Sequence, residues 1–473
     1  MSNSVVHVPL ESQTWQRQPA WVPLDNLCTG VFDCPHTTPK LTSDGPLVVR
    51  SQDIRSGVFR WHEAAHVSDE TYIERIARAE PKFGDILYSR EGTYFGIAAE
   101  MPANMRVCLG QRMVLIRPNP EQINFRFLRL WLNSPVLSRH IHGFRDGTVA
   151  ERLNMPTIRG LPVPILPREE QDAIAELLGS LDDKIELNRQ MNETLEAMAQ
   201  AIFRDWFVDF GPTRRKQEGA SDPVEIIGRL VTDAERAQLL ADLFPARLGD
   251  NGLPEGWEEK PFGFLLGDTI GGDWGKEVPE GHDCHPVSII RGTDFPEIAA
   301  GGVGKVPSRF TSSKKAERRK LAAWDVLVEV SGGSPTQPTG RSILITQSII
   351  DRFQSDVVCA SFCRRFRATD EEVAFLVYQH LTNLYAEGGT WKYQNQSTGI
   401  SNFQTTHFLE AELVIWPGRP VVREFAELVR PLMELKNRNE STILSATRDL
   451  LLPKLMSGDI RLRDAEERLE AAQ

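Results

Sequence analysis

The sequence predicts a mixed α/β (α+β) chain made of two tandem, pseudo-symmetric domains separated by an antiparallel two-helix coiled coil. Three observations carry that prediction: two long stretches with helical periodicity, a set of local motifs that recurs in the same order, and β-like runs alternating with short helical segments in between.

The first periodic stretch is Pro167 to Phe210. Leu181, Ile185, Asn188, Asn192, Leu195, Ala199, Ile202 and Trp206 fall at alternating four- and three-residue steps with charged residues between them, the spacing of a helix that buries one seam. From Leu181 to Phe207 such a helix spans roughly 40 Å at about 1.5 Å per residue. The second stretch, Gly418 to Ile460, supplies a partner. Asn437-Arg438 matches Asn188-Arg189, Leu444 matches Leu195, and L-V-I-W-P (Leu413 to Pro417) precedes it as V-P-I-L-P (Val163 to Pro167) precedes the first. A breaker sits at nearly the same place in both, Gly179-Ser180 and Pro431. Each copy therefore predicts a short helix followed by a long one, since proline removes an intrahelical hydrogen bond and clashes with the preceding turn.

With 473 residues, 41% of them hydrophobic, the chain exceeds one ordinary core, and two to four domains are expected. Lys and Arg number 54 against 65 Asp and Glu, a net charge of -11, which argues against wholesale coating of nucleic acid and leaves room for local basic faces. Six cysteines (Cys28, Cys34, Cys108, Cys284, Cys359, Cys363) are scattered, and Met1-Ser2-Asn3-Ser4 opens no signal segment. No uninterrupted apolar run is long enough to span a bilayer. A soluble, cytoplasmic protein with reduced thiols and no membrane partner is expected.

Residues 1 to about 20 are polar and expected to be loose. Trp21-Val22-Pro23-Leu24 begins the first globular region, with β-like runs at Gly45 to Arg50, Asp85 to Tyr88, Tyr94 to Ala99 and Met113 to Ile116, and a helix from Phe125 to Leu132. Gly211 to Gly256 reads as a long connection with turn chemistry, holding one amphipathic piece, Asp233 to Leu243. Trp257 reopens the program. Ile290 to Phe295 echoes Val49 to Ile54, Trp324 to Leu327 echoes Gly84 to Leu87, Glu371 to Leu384 corresponds to Phe125 to Leu132, and Asn402-Phe403 to Asn154-Met155. A tandem duplication follows. The expected parts are a first domain 1–166, a helical region 167–210, a linker 211–256, a second domain 257–417, a second helical region 418–460 and a tail 461–473.

In that order the residues resemble the specificity subunit of type I restriction-modification enzymes. The resemblance rests on Glu170 to Phe210, on L-P-E-G-W at Leu253 to Trp257 and on L-L-P-K-L-M-S-G-D-I at Leu451 to Ile460, and covers nearly the whole chain. It implies two target-recognition domains, each reading half of a bipartite site in double-stranded DNA, and helical regions that dock two methyltransferase subunits. It also implies that this chain does no chemistry and holds no cofactor. S-adenosylmethionine, ATP and Mg2+ belong to partner chains, and where restriction activity is present two restriction (translocase/nuclease) subunits join.

DNA-reading residues carry over only as loops. In the first domain these supply Arg50, Arg55, Arg90, Thr93, Arg145, Thr148, Arg152 and Asn154; in the second, Arg291, Thr293, Ser334, Thr336, Gln337, Lys392, Gln394, Asn395, Gln396 and Ser397. Arg can bridge guanine O6 and N7, and Asn or Gln can bridge adenine N6 and N7. The amide cluster Gln394-Asn395-Gln396, flanked by Trp391 and Tyr393, favours DNA contact over a solvated loop. Lys314 and Lys315, with Arg318-Arg319-Lys320, suit phosphate neutralisation and equally a solvated helix face. Arg214-Arg215-Lys216 reads as solvated.

Phe203, Trp206 and Phe207 crowd the end of the first long helix, and Leu451 and Leu455 lie in the last; they either pack in a core or dock a partner. His282-Asp283-Cys284-His285 lacks a second Cys/His pair at zinc-type spacing, so no metal is expected. Gly301 to Val306 departs from the phosphate-loop pattern, and no nucleophile elbow or base-flipping methyltransferase segment is present. The leading alternatives are a specificity chain of another methyltransferase-based system and a non-DNA coiled-coil scaffold. An independent enzyme ranks below both.

Overall fold

The computed structural model describes the chain except for residues 1–6, 56, 93–94, 143–151, 333–336, 398–399, 439 and 466–473, and the side chains of 396, 397 and 400. It divides into two compact units, Met1–Lys184 with Leu444–Gln473, and Ile185–Ile443.

In the first unit a four-stranded antiparallel sheet has the order Cys28–Asp33, Met113–Pro118, Ile86–Ser89, Ala98–Glu100. A three-stranded sheet sets Leu41–Val49 between antiparallel Ala65–Val67 and parallel Val107–Leu109. Ile86–Ser89 is buried throughout, which is why it reads as an apolar run rather than an alternating one. Ala20–Pro23 pairs with Pro162–Ile165. Over that ribbon Trp131 is fully buried, donates from Nε1 to the Pro162 carbonyl at 2.7 Å, and packs against Trp21 and Trp15. The N-terminal segment is therefore not loose as far as it is described. Trp15 is buried and the Arg17 N–H donates to the Ser457 carbonyl at 2.7 Å.

The second unit repeats this plan. Its four-stranded sheet runs Leu266–Gly271, Cys363–Ala368, Val326–Glu329, Ser342–Leu344, and its mixed sheet sets His285–Ile290 between Ser308–Thr311 and parallel Asp356–Cys359. Glu258–Pro261 pairs with Leu413–Trp416. The repetition extends to single bonds. Arg117 donates to Asp85 from Nε and Nη2 at 2.8 and 2.7 Å, and Arg367 donates to Asp325 from the same atoms at 2.7 Å each. Both aspartates also cap the preceding turn, accepting from the N–H of Lys82 and Ala322. Arg367 is held above its ordinary range by the hydrogen bond to Asp325 and Arg117 by that to Asp85, each against the opposing effect of burial.

The helices depart from the sequence reading in three ways. Arg168–Phe203 is one helix, uninterrupted at Gly179-Ser180. A glycine there costs only about 1 kcal/mol, less than the burial of Ile174, Ala175, Leu178 and Leu181 around it supplies. Arg419–Lys436 likewise passes through Pro431, flanked by buried Val429 and Met433. The break comes instead at Asn437, whose Nδ2 donates to the Met433 carbonyl at 2.8 Å and whose own carbonyl accepts from Arg352 at 2.9 Å.

Third, 211–256 is not a bare connection. Helices Gly211–Gln217, Pro223–Ile226 and Ala234–Asp242, with the turn after the last, bring Ile226, Leu240 and Phe244 into the core around Trp206. The seam itself is as spaced. Asn188, Asn192, Leu195, Ala199, Ile202 and Trp206 are buried, Ile185 half-buried. Within the second unit Phe203 meets Phe425, Glu196 meets Lys436, and Asn188 donates to Glu440 at 3.0 Å. These partners advance as the first helix recedes, so the two segments run in opposite directions.

Candidate nucleic-acid interface

In each unit the strand that ends the buried four-residue run feeds a loop, and a distant segment pairs with that loop. In the first, the Arg90 carbonyl accepts from the Leu153 N–H at 2.9 Å, and the backbones of Glu91 and Arg152 form an antiparallel β-bridge. In the second, the Val330 carbonyl accepts from the Phe403 N–H at 2.8 Å, and Ser331–Gly332 pairs with Ile400–Phe403, which pairs with Gln394–Ser397. In each unit two of the segments expected to read DNA are thus paired along one edge. These bonds equate Arg152 with Asn402, both exposed. The match of Asn154 to Asn402 drawn from the sequence is out of step by two residues, because local similarity ignores the ladder register.

The side chains on this edge divide into structural and available ones. Arg50 donates to Asp53 from its backbone N–H, Nε and Nη2 at 2.8, 2.9 and 2.9 Å; Arg291 does the same to Asp294 at 3.0, 2.9 and 2.9 Å. A guanidinium spent on a buried carboxylate has little left for a base. Arg90 is buried beside Asp33 at 3.2 Å. Arg55 donates to the Gln52 carbonyl at 3.0 Å and lies 3.6 Å from Glu63. Asn154 caps helix Met155–Arg159, accepting from the Thr157 N–H at 2.9 Å, a cap that Asn before a short helix signals. Gln394 accepts from the Thr339 N–H and hydroxyl at 3.1 and 3.2 Å. Base reading was expected of Arg50, Arg90, Arg291, Asn154 and Gln394, and their observed work is internal.

Arg152, Thr293, Gln337 and Asn395 are exposed. Thr93, Arg145, Thr148, Ser334 and Thr336 lie outside the described residues, as do the side chains of Gln396 and Ser397. Lys314 and Lys315 are exposed on helix Ser313–Arg319; Lys315 lies 3.9 Å from Asp273, and Lys314 makes no ion pair among the described residues.

Behind the second edge sits a buried carboxylate. Burial alone would raise Glu412, but hydrogen bonds from His380, Tyr393 and Lys392 outweigh it and hold the carboxyl at about 2. The contacts are 3.0, 2.6 and 3.0 Å. They tie Tyr393, the residue before the amide cluster, to the domain.

The partner-docking assignments are corrected. Trp206 is fully buried, with Phe203 and Phe207 against Phe425, Phe244 and Trp257; Leu451 and Leu455 are buried too. Their apolar surface is already covered within the chain. Leu187, Met191 and Met198 are instead exposed on the first long helix, at spacings that share a face.

For metals, Asp33, Cys34 and His36 alone among the described residues bring three ligand atoms within 4.8 Å. Arg90 pairs with Asp33 at 3.2 Å, and burial raises the Cys34 thiol, so the group reads as an ion pair beside an inert thiol. Cys284 donates to the Gly281 carbonyl at 3.3 Å and His285 pairs with Asp356 at 2.9 Å.

Residues 41–197 match the family model for a type I restriction modification DNA specificity domain. The chain is 27% identical to the type I restriction enzyme HindI specificity subunit of Haemophilus influenzae, over 87% of this chain and 94% of that one. It is 22% identical to the MjaIX specificity subunit of Methanocaldococcus jannaschii, over 91% and 88%. The crystal structure of an S subunit from M. genitalium aligns at 13% identity and a TM-score of 0.46, over 95% of this chain and 99% of that one. Among the described residues no helix is long and apolar enough to cross a membrane. Along most of its length the chain is thus similar to type I restriction-modification specificity subunits.

Proposed function

We propose that this chain reads a bipartite site in double-stranded DNA, one half per α/β domain, and presents that site to methyltransferase subunits docked on its helices. The observation that carries the reading is a contrast. The two domains repeat their scaffold bond for bond, Arg117–Asp85 as Arg367–Asp325 and Arg50–Asp53 as Arg291–Asp294, while the paired edge differs in its exposed residues, Arg152 against Asn402. A constant frame with a variable edge suits two readers of two sequences.

Phosphate contacts from cations such as Lys314 position each domain, and exposed edge residues read bases. The antiparallel helices set the separation of the half-sites. The stripe Leu187, Met191 and Met198 offers the docking surface. Methyl transfer, ATP hydrolysis and Mg2+ chemistry fall to the partner subunits, with restriction subunits where cleavage occurs, in the cytoplasm.

The test is binding by the complex of this chain with its methyltransferase subunit. Affinity for a split site that falls steeply with salt supports DNA reading, and no salt-dependent affinity supports the scaffold alternative.

A further inference from the structure

Resting on that proposal, the geometry assigns a second, unrecognised pair of base readers: Arg112 in the first domain and Phe362 in the second. The two occupy one position of the repeated frame. The Arg112 carbonyl accepts from the Arg90 N–H at 3.1 Å, and the Phe362 carbonyl accepts from the Val330 N–H at 2.9 Å. Each therefore sits in the tight turn between two strands of different sheets, where its carbonyl supports the first residue of the reading loop. The bonds on either side agree as well, Gly110 to Val49 with Ala360 to Ile290, and Cys34 to Met113 with Gly272 to Cys363.

At this shared position the side chains are of opposite chemistry. Arg112 is 51% exposed and holds a left-handed backbone, φ 71°, a conformation uncommon for a residue other than glycine. Glu91 takes its Nε at 3.3 Å, and no other ion pair engages it among the described residues. Its terminal nitrogens remain for the two acceptors that guanine presents in the major groove.

Phe362 is 52% exposed, and Trp274 stands beside it, 39% exposed, with ring centroids 6.2 Å apart. A large exposed aromatic in a tight turn departs from ordinary turn chemistry. The pair is held firmly. A Cβ on Gly272 would lie 2.1 Å from the Cys359 and Ala360 carbonyl oxygens, so only glycine lets the Trp274 loop lie this close to the turn. Arg309 stacks on Trp274 at 5.6 Å, placing a cation at the same patch. An apolar contact next to a reading loop suits the C5-methyl of thymine. Arg112 thus selects a G·C pair in one half-site, and Phe362 with Trp274 selects an A·T pair in the other.

The experiment uses the complex with its methyltransferase subunit and duplex libraries in which one half-site is fixed and the other randomised, sequencing the bound fraction. Arg112→Ala should lose roughly 10- to 100-fold preference at one G·C position of one half. Phe362→Ala should lose about fivefold or more at one A·T position of the other. In each case the untouched half shows that the variant is folded. Arg112→Lys, which keeps the charge without the fork, should show the same single-position loss. Base preferences equal to wild type, or a loss spread over both halves, would overturn the assignment. A wild-type complex that selects no split site would instead sink the underlying DNA-reading proposal.

Discussion

Arg291 closes on Asp294 through its backbone N–H and two guanidinium nitrogens, all within 3.0 Å, at the turn that follows a buried strand. Arg50 and Asp53 repeat this in the other copy, so the pair belongs to the frame. Asp294 is only 3% exposed. Arg291→Ala leaves it without its cation, and a loss of about 3 kcal/mol in urea unfolding is expected, with base preference retained by the folded protein. Unchanged unfolding together with a relaxed half-site would return Arg291 to the readers.

Trp206, in the π-helical turn Arg204–Val208 that continues the first long helix, and the exposed stripe on that helix should separate stability from assembly. Trp206→Ala empties a site walled by Phe244, Phe425 and Phe207, and about 3–5 kcal/mol of stability should be lost. Changing Leu187, Met191 and Met198 together to serine should leave the melting temperature within a few degrees and weaken co-purification with the methyltransferase subunit. Normal co-purification by the triple variant would place docking elsewhere.

Acid should act through Glu412. Its folded value, about 2, lies below that of a free glutamate, so its contribution is complete above roughly pH 4.5 and fades as pH falls toward 2. Stability of the wild type should drop across that window. Glu412→Gln should be less stable near neutrality and flatter between pH 4.5 and 2, as followed by near-UV circular dichroism. Parallel curves for the two proteins would mean the ion cluster is not coupled to folding.

Much of the frame was legible because it obeys local rules. The four–three spacing from Leu181 to Trp206 predicted residues that are buried, Ile185 only half so, and the echo of Gly84-Asp85 in Trp324-Asp325 marked a turn where both Gly84 and Trp324 adopt positive φ and each aspartate holds an arginine. The helix breaks were misplaced because packing around Gly179 and Pro431 outweighs propensity. Arg50 and Arg291 resembled readers because exposure of an arginine is decided by where its aspartate lies, three residues away and folded back. Arg112 and Phe362 went unnoticed because their equivalence exists only in strand register. An alignment of the two halves anchored on Arg117–Asp85 and Arg367–Asp325 carries the signal that finds them.

The most direct test of a split-site reader is a methylation map. This chain would be co-expressed with its methyltransferase subunit in a host free of other DNA methylation, and modified bases mapped by single-molecule sequencing. The account predicts one motif of two short specific halves around a fixed unspecified gap. A continuous motif, or none from an assembled and competent complex, would contradict it.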